Sequence, residues 1–483
     1  MIPGMKFEIQ NLGPVKSAEL ELGDLTIIAG RNNTGKTYIA HSIYGYLKWF
    51  NSQDFEDHII GIGISAIERR GGIPEGQVGR KLVSEGKLTW KLNDEDRAND
   101  RFEILESVSE EFSRVGLDSV FRHPILLLDS PLVRLKISTE VLKSQIRNFR
   151  YGRIGSLGNV TVTGSHTVKN FTLSWEAEKS VDTENVEFYD MLTQMAGYTY
   201  SHVVLSRLTR IDSPIIFTSA RSFITYFFDA LSLANAHIAQ ELARSRHQSN
   251  VSETLQFSRA SLYSRPVQDN LNFFVDSLGL GPSFIRGDGS ALLEELEEIM
   301  GGKIEAEDRN SLKFVVDGLN QSTELPPHLF SDSIKDLANL YQFIKYHFDE
   351  GRDRFLIIDE PESHLDTANQ VWFARFLARL VNRGMKILIT THSDYIIKEF
   401  NNLIMLNSSF EDKDEIMKEF DYQEGDSLDP AKVRPYIAED GKLTHCDPNN
   451  FGIEMHVFDH TIDRINRAAM RMASRIALKD EKR

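Results

Sequence analysis

The chain has 483 residues, enough for about two to four domain-sized units, and 41% of them are hydrophobic, as in a globular protein with a substantial core. No apolar run reaches the roughly 18 residues that span a bilayer. The N-terminus lacks the basic-then-apolar order of a signal peptide, so a cytoplasmic location without membrane contact is expected. The formal net charge of −16 excludes general attraction to duplex DNA, so nucleic-acid contact would need a local basic patch or a partner. The single cysteine, Cys446, excludes an intrachain disulfide and suits a reducing compartment.

Residues 5–29 read as a hairpin around Asn11-Leu12-Gly13-Pro14, followed by a buried strand at Leu25-Thr26-Ile27-Ile28-Ala29. Next, Gly30-Arg31-Asn32-Asn33-Thr34-Gly35-Lys36-Thr37 fits G-x-x-x-x-G-K-[ST], the phosphate-binding P-loop, and Ile39, Ile43 and Leu47 recur at helical spacing beyond it. A strand–loop–helix of this kind aims backbone N–H groups and a helix N-terminus at a phosphate. Lys36 would reach the β- and γ-phosphates, and the Thr37 hydroxyl would ligate Mg2+.

Residues 51–210 mix charge runs (Asn93-Asp94-Glu95-Asp96-Arg97), a Gly-rich turn (Arg70-Gly71-Gly72) and strand-like alternation (Val160-Thr161-Val162-Thr163). They are expected to form a mixed insertion of unknown role. Pro214-Ile215-Ile216-Phe217 is a short apolar run, and helical periodicity follows to residue 264. Residues 290–298 form an acidic helix that Gly301-Gly302 ends, Leu312–Val316 is strand-like, and 332–348 is helical. There is no internal repeat, low-complexity tract or long heptad pattern.

Residues 354–393 read as strand, helix, strand. Arg354-Phe355-Leu356-Ile357-Ile358-Asp359-Glu360-Pro361 is a buried parallel strand ending in two acids, at the sheet edge where α/β proteins bind ligands. Asp359 would hold Mg2+ through water, and Glu360 would take a proton from the attacking water. A helix from Gln370 to Val381 stops before Gly384. The strand Lys386–Thr391 then ends at His392-Ser393, with His392 able to reach the γ-phosphate. Near the C-terminus Arg464, Arg467, Arg471, Arg475 and Lys479 share helical spacing, beside an apolar stripe of Ile462, Ile465, Ala469, Met472 and Ile476. This amphipathic helix is either docked with a solvated rim or a contact for nucleic acid or an acidic partner. Arg147, Arg150 and Arg153 form a smaller basic cluster.

The order of P-loop, Asp359-Glu360-Pro361-Glu362-Ser363-His364-Leu365-Asp366 and Thr390-Thr391-His392-Ser393 resembles the ABC-type ATPase heads of the SMC and RecF-like branch. It resembles more closely the compact bacterial ATPases of the OLD-like/AAA15 group. Phe217-Thr218-Ser219-Ala220-Arg221-Ser222 is similar to that group's strand ending in P-A-x-R, Met300–Lys303 to its G-G-K turn, and Phe330–Lys335 to its degenerate signature motif. Ser219 stands where the group often has proline, and no Q-loop glutamine is evident, so the resemblance assigns Arg221 no role. It covers about 1–50 and 210–480 and implies an α/β fold: an ABC-type head with a mostly parallel sheet flanked by helices, an N-terminal antiparallel β layer, a mixed insertion and a helical region. Implied segments are 1–50, 51–210, 211–300, 301–410 (signature, Walker B, D-loop and H-loop) and a C-terminal α/β extension over 411–483.

The resemblance also implies a head-to-tail dimer or higher homo-oligomer with ATP between subunits. Ser331, with Ser333 secondary, would contact the γ-phosphate from across the interface, and Asp366 would be the D-loop residue. The expected function is a regulatory ATPase of a prokaryotic antiviral defence complex, as in Septu, retron-associated and PARIS-like systems, working beside a separate HNH or Toprim nuclease. The stretch after His392 is too short for a Toprim domain of its own. The alternatives are a DNA-repair or chromosome ATPase of RecF/SMC type, which the acidic charge and missing long coiled coil disfavour, and an ABC-transporter subunit. Against the latter stand the absent L-S-G-G-Q and the long separation of Lys36 from Asp359.

Overall fold

Alternating burial sets the first hairpin. Strand β1 (Met5–Leu12) buries Met5, Phe7, Ile9 and Leu12, and β2 (Val15–Glu21) buries Val15, Ala18 and Leu20. They pair antiparallel, and Asn11 and Gly13 take positive φ at the reversal (53° and 57°). β3 (Leu25–Gly30) is buried at every position, as an apolar run covered on both faces requires. This computed structural model describes residues 5–50, 52–92, 94–123, 130–137, 151–157, 160–166, 170–177, 186–205, 214–226, 263–278, 280, 289–308, 311–317, 323–350, 354–454, 464 and 467–472.

After β3 the helices α1 (Lys36–Trp49), α2 (Gln53–Gly71) and α3 (Val78–Glu85) lead to β4 (Lys87–Lys91) and α4 (Asp94–Glu111). Arg70-Gly71-Gly72 closes α2, with Gly72 as its left-handed cap. β5 (Leu132–Ile137) returns to pair antiparallel with β1. β6 (Tyr151–Leu157), β7 (Val160–His166) and β8 (Asn170–Ala177) join β4 in a separate sheet of order β4-β8-β7-β6, against which α5 (Val186–Leu205) packs. Then come β9 (Ile215–Phe217), α6 (Arg221–Tyr226), α7 (Arg265–Leu278) and α8 (Ser290–Met300). The expected helical stretch after Phe217 falls largely on 227–262, outside the described residues. Gly301 caps α8 in the left-handed region, and β10 (Gly302–Asp308), β11 (Ser311–Val316) and β12 (Thr323–Leu325) form a small antiparallel sheet.

The remaining elements are α9 (Asp332–Tyr346), β13 (Phe355–Asp359), α10 (Thr367–Asn382), β14 (Lys386–Thr391), α11 (Asp394–Met405), β15 (Val433–Glu439) and β16 (Lys442–His445). The main sheet runs β5-β1-β2-β16-β15-β3-β14-β13-β9. From β15 to β9 every neighbour is parallel, and the β5-β1-β2 end is antiparallel. The expected N-terminal antiparallel layer is therefore continuous with the parallel half, joined through β16. Residues 433–445, expected in an extension beginning at 411, run inside this sheet, with β15 directly beside β3. Pro435 sits mid-strand opposite Ile27, and a proline without an N–H there reads against a central strand.

The sheet separates two cores. Ile28, Ile357 and Leu388 face α1 and α2, whereas Leu25, Ile27, Leu356, Ile358, Ile387 and Ile389 face α9, α10 and α11. Strand period 2 thus sends alternate residues of the same apolar run to opposite cores. Among the described residues no helix is long and apolar enough to cross a membrane. In the basic C-terminal segment, Arg464 and residues 467–472 are exposed, Ala469 and Met472 included. Arg475, Lys479, Ile462, Ile465 and Ile476 lie outside the described residues, as do Arg147 and Arg150.

Helices α2 and α5 meet at glycines. A Cβ at Gly63 would lie 2.2 Å from the Gly197 carbonyl oxygen, and one at Gly197 would lie 2.5 Å from that of Ile60. Backbone cannot yield as a flexible side chain does, so Gly63→Val is expected to destabilise the protein by about 1–3 kcal/mol in urea titration. An unchanged midpoint would show that the two helices are not held at this separation.

Candidate functional site

Parallel neighbours deliver their carboxyl ends to one edge of a sheet, where α/β proteins place ligands. β3, β14 and β13 are adjacent in that order, with Ala29 opposite Thr391 and Thr390 opposite Asp359. The P-loop, His392 and the paired acids therefore emerge side by side, although Lys36 and Asp359 are far apart in the chain.

Two glycines shape the loop. Gly35 has φ 93°, and a Cβ on it would fall 2.4 Å from Val15 Cγ2; a Cβ on Gly30 would fall 2.5 Å from the Ala438 carbonyl oxygen. Arg31, Asn32 and Asn33 are exposed, with Asn33 at φ 63°. Thr34 Oγ1 donates to Arg31 O at 2.8 Å. Lys36 Nζ is buried and donates to Gly30 O (3.0 Å) and Arg31 O (2.9 Å). Burial pulls its ammonium below the ordinary lysine range, against the attraction of Glu360, Glu362 and Asp359. The first turn of α1 carries no acidic residue, so nothing there competes with an anion for its N-terminal N–H groups.

Asp359 has no solvent exposure. Thr37 Oγ1 donates to both its oxygens at 3.1 Å, Thr390 Oγ1 donates to Oδ1, and His41 Nε2 lies 3.8 Å from Oδ2. Burial holds His41 below the usual histidine range, so near neutral pH it faces Asp359 uncharged. Glu360 follows in the left-handed region, φ 51°, its N–H donating to Thr390 O and Oγ1, both at 3.1 Å. Burial, and then the Asp359 charge, push Glu360 above the ordinary carboxylate range, with His392 and Lys36 opposing. A carboxylate of raised basicity beside a phosphate cradle is suited to accepting a proton.

His392 Nδ1 lies 3.8 Å from Glu360 Oε1 and 3.1 Å from Glu362 Oε1. Glu362 is buried and also accepts from the His392 N–H (2.6 Å) and from Thr391 Oγ1 (2.9 Å). It thus fixes both the backbone and the ring of His392. Thr37 Oγ1 and the Asp359 carboxylate offer the hard oxygen donors that magnesium takes, with phosphate and water oxygens filling its other positions. Among the described residues no group of three or more His, Cys, Asp or Glu is placed to hold a metal.

Ser331 and Asp366 are helix caps. Ser331 Oγ accepts the Ile334 N–H at 3.3 Å at the start of α9 and lies 2.9 Å from Ser333 Oγ. Asp366 accepts the N–H groups of Ala368 (2.9 Å) and Asn369 (3.0 Å) at the start of α10. Among the described residues neither residue, nor Ser333, hydrogen-bonds Lys36, Thr37, Asp359 or Glu360.

Arg221 is 3% exposed and donates from Nη1 to Asp359 O and from Nη2 to Glu360 O, both at 2.8 Å. Sequence reasoning gave this residue no role, and likewise passed over Glu362, Thr390, His41 and Asp336. The signals for Arg221 were its place four positions after a short apolar strand and the likeness of Phe217–Ser222 to a strand ending in P-A-x-R.

A glycine-bent loop between strand and helix, a buried aspartate two strands away and an acid immediately after it lie in the fold of a P-loop ATPase. Within that class, the chain belongs to the family described as AAA domain, putative AbiEii toxin, Type IV TA system, which matches residues 147–398. The matched stretch takes in Arg221, Ser331, Asp359, Glu360, Asp366 and His392 and begins beyond the P-loop. Among solved structures the chain is similar to an SMC head bound to the C-winged helix domain of ScpA (11% identity, 91% of this chain and 96% of that chain, TM-score 0.32). It is also similar to the SMC head domain from Thermotoga maritima (11%, 92% and 98%, 0.27) and to the recombination mediator RecF of the RecFOR pathway (12%, 92% and 98%, 0.29). No curated protein matches the chain.

Gly35 gives a direct test of the loop. Gly35→Ala combines a φ that L residues rarely adopt with the Val15 contact and is expected to lower stability by about 1–3 kcal/mol in urea titration. Val15→Ala in the same protein should recover the steric part and leave the backbone part. A Gly35→Ala protein as stable as the parent would show that the loop is not held in this form.

Proposed function

We propose that the chain binds ATP with Mg2+, hydrolyses it, and uses the cycle to make and break a protein assembly. The observation that carries this reading is the convergence of Lys36, Thr37, Asp359, Glu360 and His392 at the carboxyl ends of three adjacent parallel strands.

The N–H groups of Gly30, Arg31, Asn32, Asn33, Thr34, Gly35, Lys36 and Thr37 cradle the phosphates, and Lys36 turns its ammonium from the loop carbonyls to the β- and γ-phosphate oxygens. Thr37 and Asp359 would hold Mg2+, which would neutralise charge on the phosphate oxygens. Glu360 accepts a proton from water as that water's oxygen attacks the γ-phosphorus, and the bond to the β–γ bridging oxygen breaks to leave ADP and phosphate. His392, oriented by Glu362, stands beside Glu360 on the γ-phosphate side.

Ser331 and Ser333 on one subunit, with Asp366, complete the site of another in a head-to-tail dimer. The exposure of Ser331 at the N-terminus of α9 supports this, because a helix N-terminus attracts anions. ATP then holds subunits together and hydrolysis releases them. In the cell we place the protein in the cytoplasm as the regulatory ATPase of a prokaryotic antiviral complex, restraining a separate nuclease effector. The family's description as a putative toxin of a type IV toxin–antitoxin system supports a role in defence or growth control. Nucleic acid would be contacted through the basic edge at Arg464, Arg467 and Arg471.

Lys36→Ala is expected to abolish ATP binding in equilibrium titration. Glu360→Gln should keep binding, lose turnover by about 10²–10⁴-fold, and accumulate as an ATP-dependent dimer in light scattering. Chelation of Mg2+ should stop turnover in the parent protein. A Glu360→Gln protein with unchanged oligomeric state and turnover would sink the mechanism. In phage plating on cells carrying the chain with its neighbouring genes, both substitutions should remove protection, and protection that survives both would exclude the defence role.

A further inference from the structure

We propose that Arg221 and Asp336 are positioning residues that couple the N-terminus of α9 to the geometry of Glu360. The proposal rests on the reading of Glu360 as general base and of Ser331 as a nucleotide contact.

Glu360 is a non-glycine residue at φ 51°, a region where an L side chain crowds its own backbone. Bonds on both sides of the residue hold it there. Its N–H is shared between Thr390 O and Oγ1, and its carbonyl accepts Arg221 Nη2 at 2.8 Å and the Ser363 N–H at 3.1 Å. The preceding carbonyl, that of Asp359, accepts Arg221 Nη1 at 2.8 Å. A guanidinium is a rigid planar fork, so its two ends fix two successive carbonyls relative to each other. Rotation of the peptide between Asp359 and Glu360 would break one bond or the other.

The fork is in turn tied to α9. Arg221 Nη2 lies 3.6 Å from Asp336 Oδ2, and both residues are buried. The same carboxylate oxygen meets His364 Nδ1 at 3.0 Å, in the segment between β13 and α10. Three further bonds, two of them through Asn270 on α7, link the segment around Arg221 to α9. Thr225 Oγ1, at the end of α6, donates to Lys335 O on α9 (3.1 Å). Asn270 accepts the Thr218 N–H (3.0 Å) and donates to Asn339 on α9 (2.8 Å).

Asp336 lies on the same helix as Ser331, just over one turn from its start. An α-helix moves as a body, so engagement of Ser331 by a phosphate displaces Asp336 with it. Arg221 follows its buried counter-charge, and its fork carries the displacement into the Glu360 peptide. The terminal acceptors of the pair are the carbonyls of the two site acids.

Asp336→Asn removes the charge while keeping the side-chain shape and an acceptor for His364. It is expected to bind ATP within about twofold of the parent and to lose kcat by at least about tenfold with KM little changed. Arg221→Lys, which keeps charge without the fork, should show the same split. The double variant should be no slower than the slower single, because the two act in one chain of contacts. Thermal melts run alongside separate this from loss of fold. Should Asp336→Asn fail to fold, His364→Ala, on a half-exposed residue, provides the same readout, with a several-fold kcat loss expected and a parental kcat overturning the coupling. Parental turnover in Asp336→Asn, or losses that multiply in the double variant, would also overturn it. A parent chain that neither binds nor hydrolyses ATP would sink the ATPase reading itself, whereas normal parental turnover with an unaffected Asp336→Asn would sink the coupling alone.

Discussion

A carboxylate without solvent exposure must be surrounded by donors, and the satisfaction of Asp359 organises the head. The carboxylate accepts from Thr37 on α1 and Thr390 on β14, and Arg221 on α6 donates to the backbone carbonyl of the same residue. Leaving a buried charge unpaired costs several kcal/mol in real proteins, more than one apolar contact returns. The order β3-β14-β13 brings those partners within reach, and the site acids inherit their places from it. The residue that would hold Mg2+ is thus also one that fixes the relation of the P-loop helix to the sheet.

The electrostatics of the cradle follow from burial. Three carboxylates, Asp359, Glu360 and Glu362, act on one ammonium, and each raises its proton affinity. Two unit charges 4 Å apart at an effective dielectric of about 20 interact by about 4 kcal/mol. Desolvation of Lys36 nevertheless outweighs their sum, since its proton affinity lies below the ordinary lysine value. Phosphate oxygens would move the balance the other way by supplying near counter-charge together with hydrogen bonds. The same carboxylates repel bare phosphate, and a cation between them and a nucleotide would relieve that repulsion, which is the use proposed for Thr37 and Asp359.

How much of this was legible in the sequence depends on the range of each signal. The P-loop and the strand ending in Asp359-Glu360 are local: apolar runs, glycines and acids at fixed spacing, each meaningful within about ten residues. The fold class followed from their order. Ser331 and Asp366 were found by pattern, yet their hydrogen bonds are those of ordinary helix caps, so sequence and single-chain geometry look alike for both readings. β15 went unread because Pro435 interrupts a short strand and its pairing partner lies some 400 residues away in sequence. Glu362 lies inside the Asp359–Asp366 motif but received no role and Asp336 lies outside every motif, since a buried acid is recognised by what it touches, and Thr391, His392, Arg221 and His364 all come from other segments.

Backbone strain links these strands of argument. Among non-glycine residues with positive φ, Asn33, Glu360 and His364 all belong to the loops at this one sheet edge, at 63°, 51° and 60°. Asparagine and histidine are enriched in that region; glutamate is not. Strain of this kind persists only where the surroundings over-determine it. For Glu360 they do, with four hydrogen bonds on one residue's N–H and carbonyl. Such a residue cannot relax by small continuous shifts, because any rotation trades several bonds at once. In the role proposed for it, a general base held this way would be either aligned or not, which is the property an ATPase needs if hydrolysis is to wait for a partner rather than follow binding.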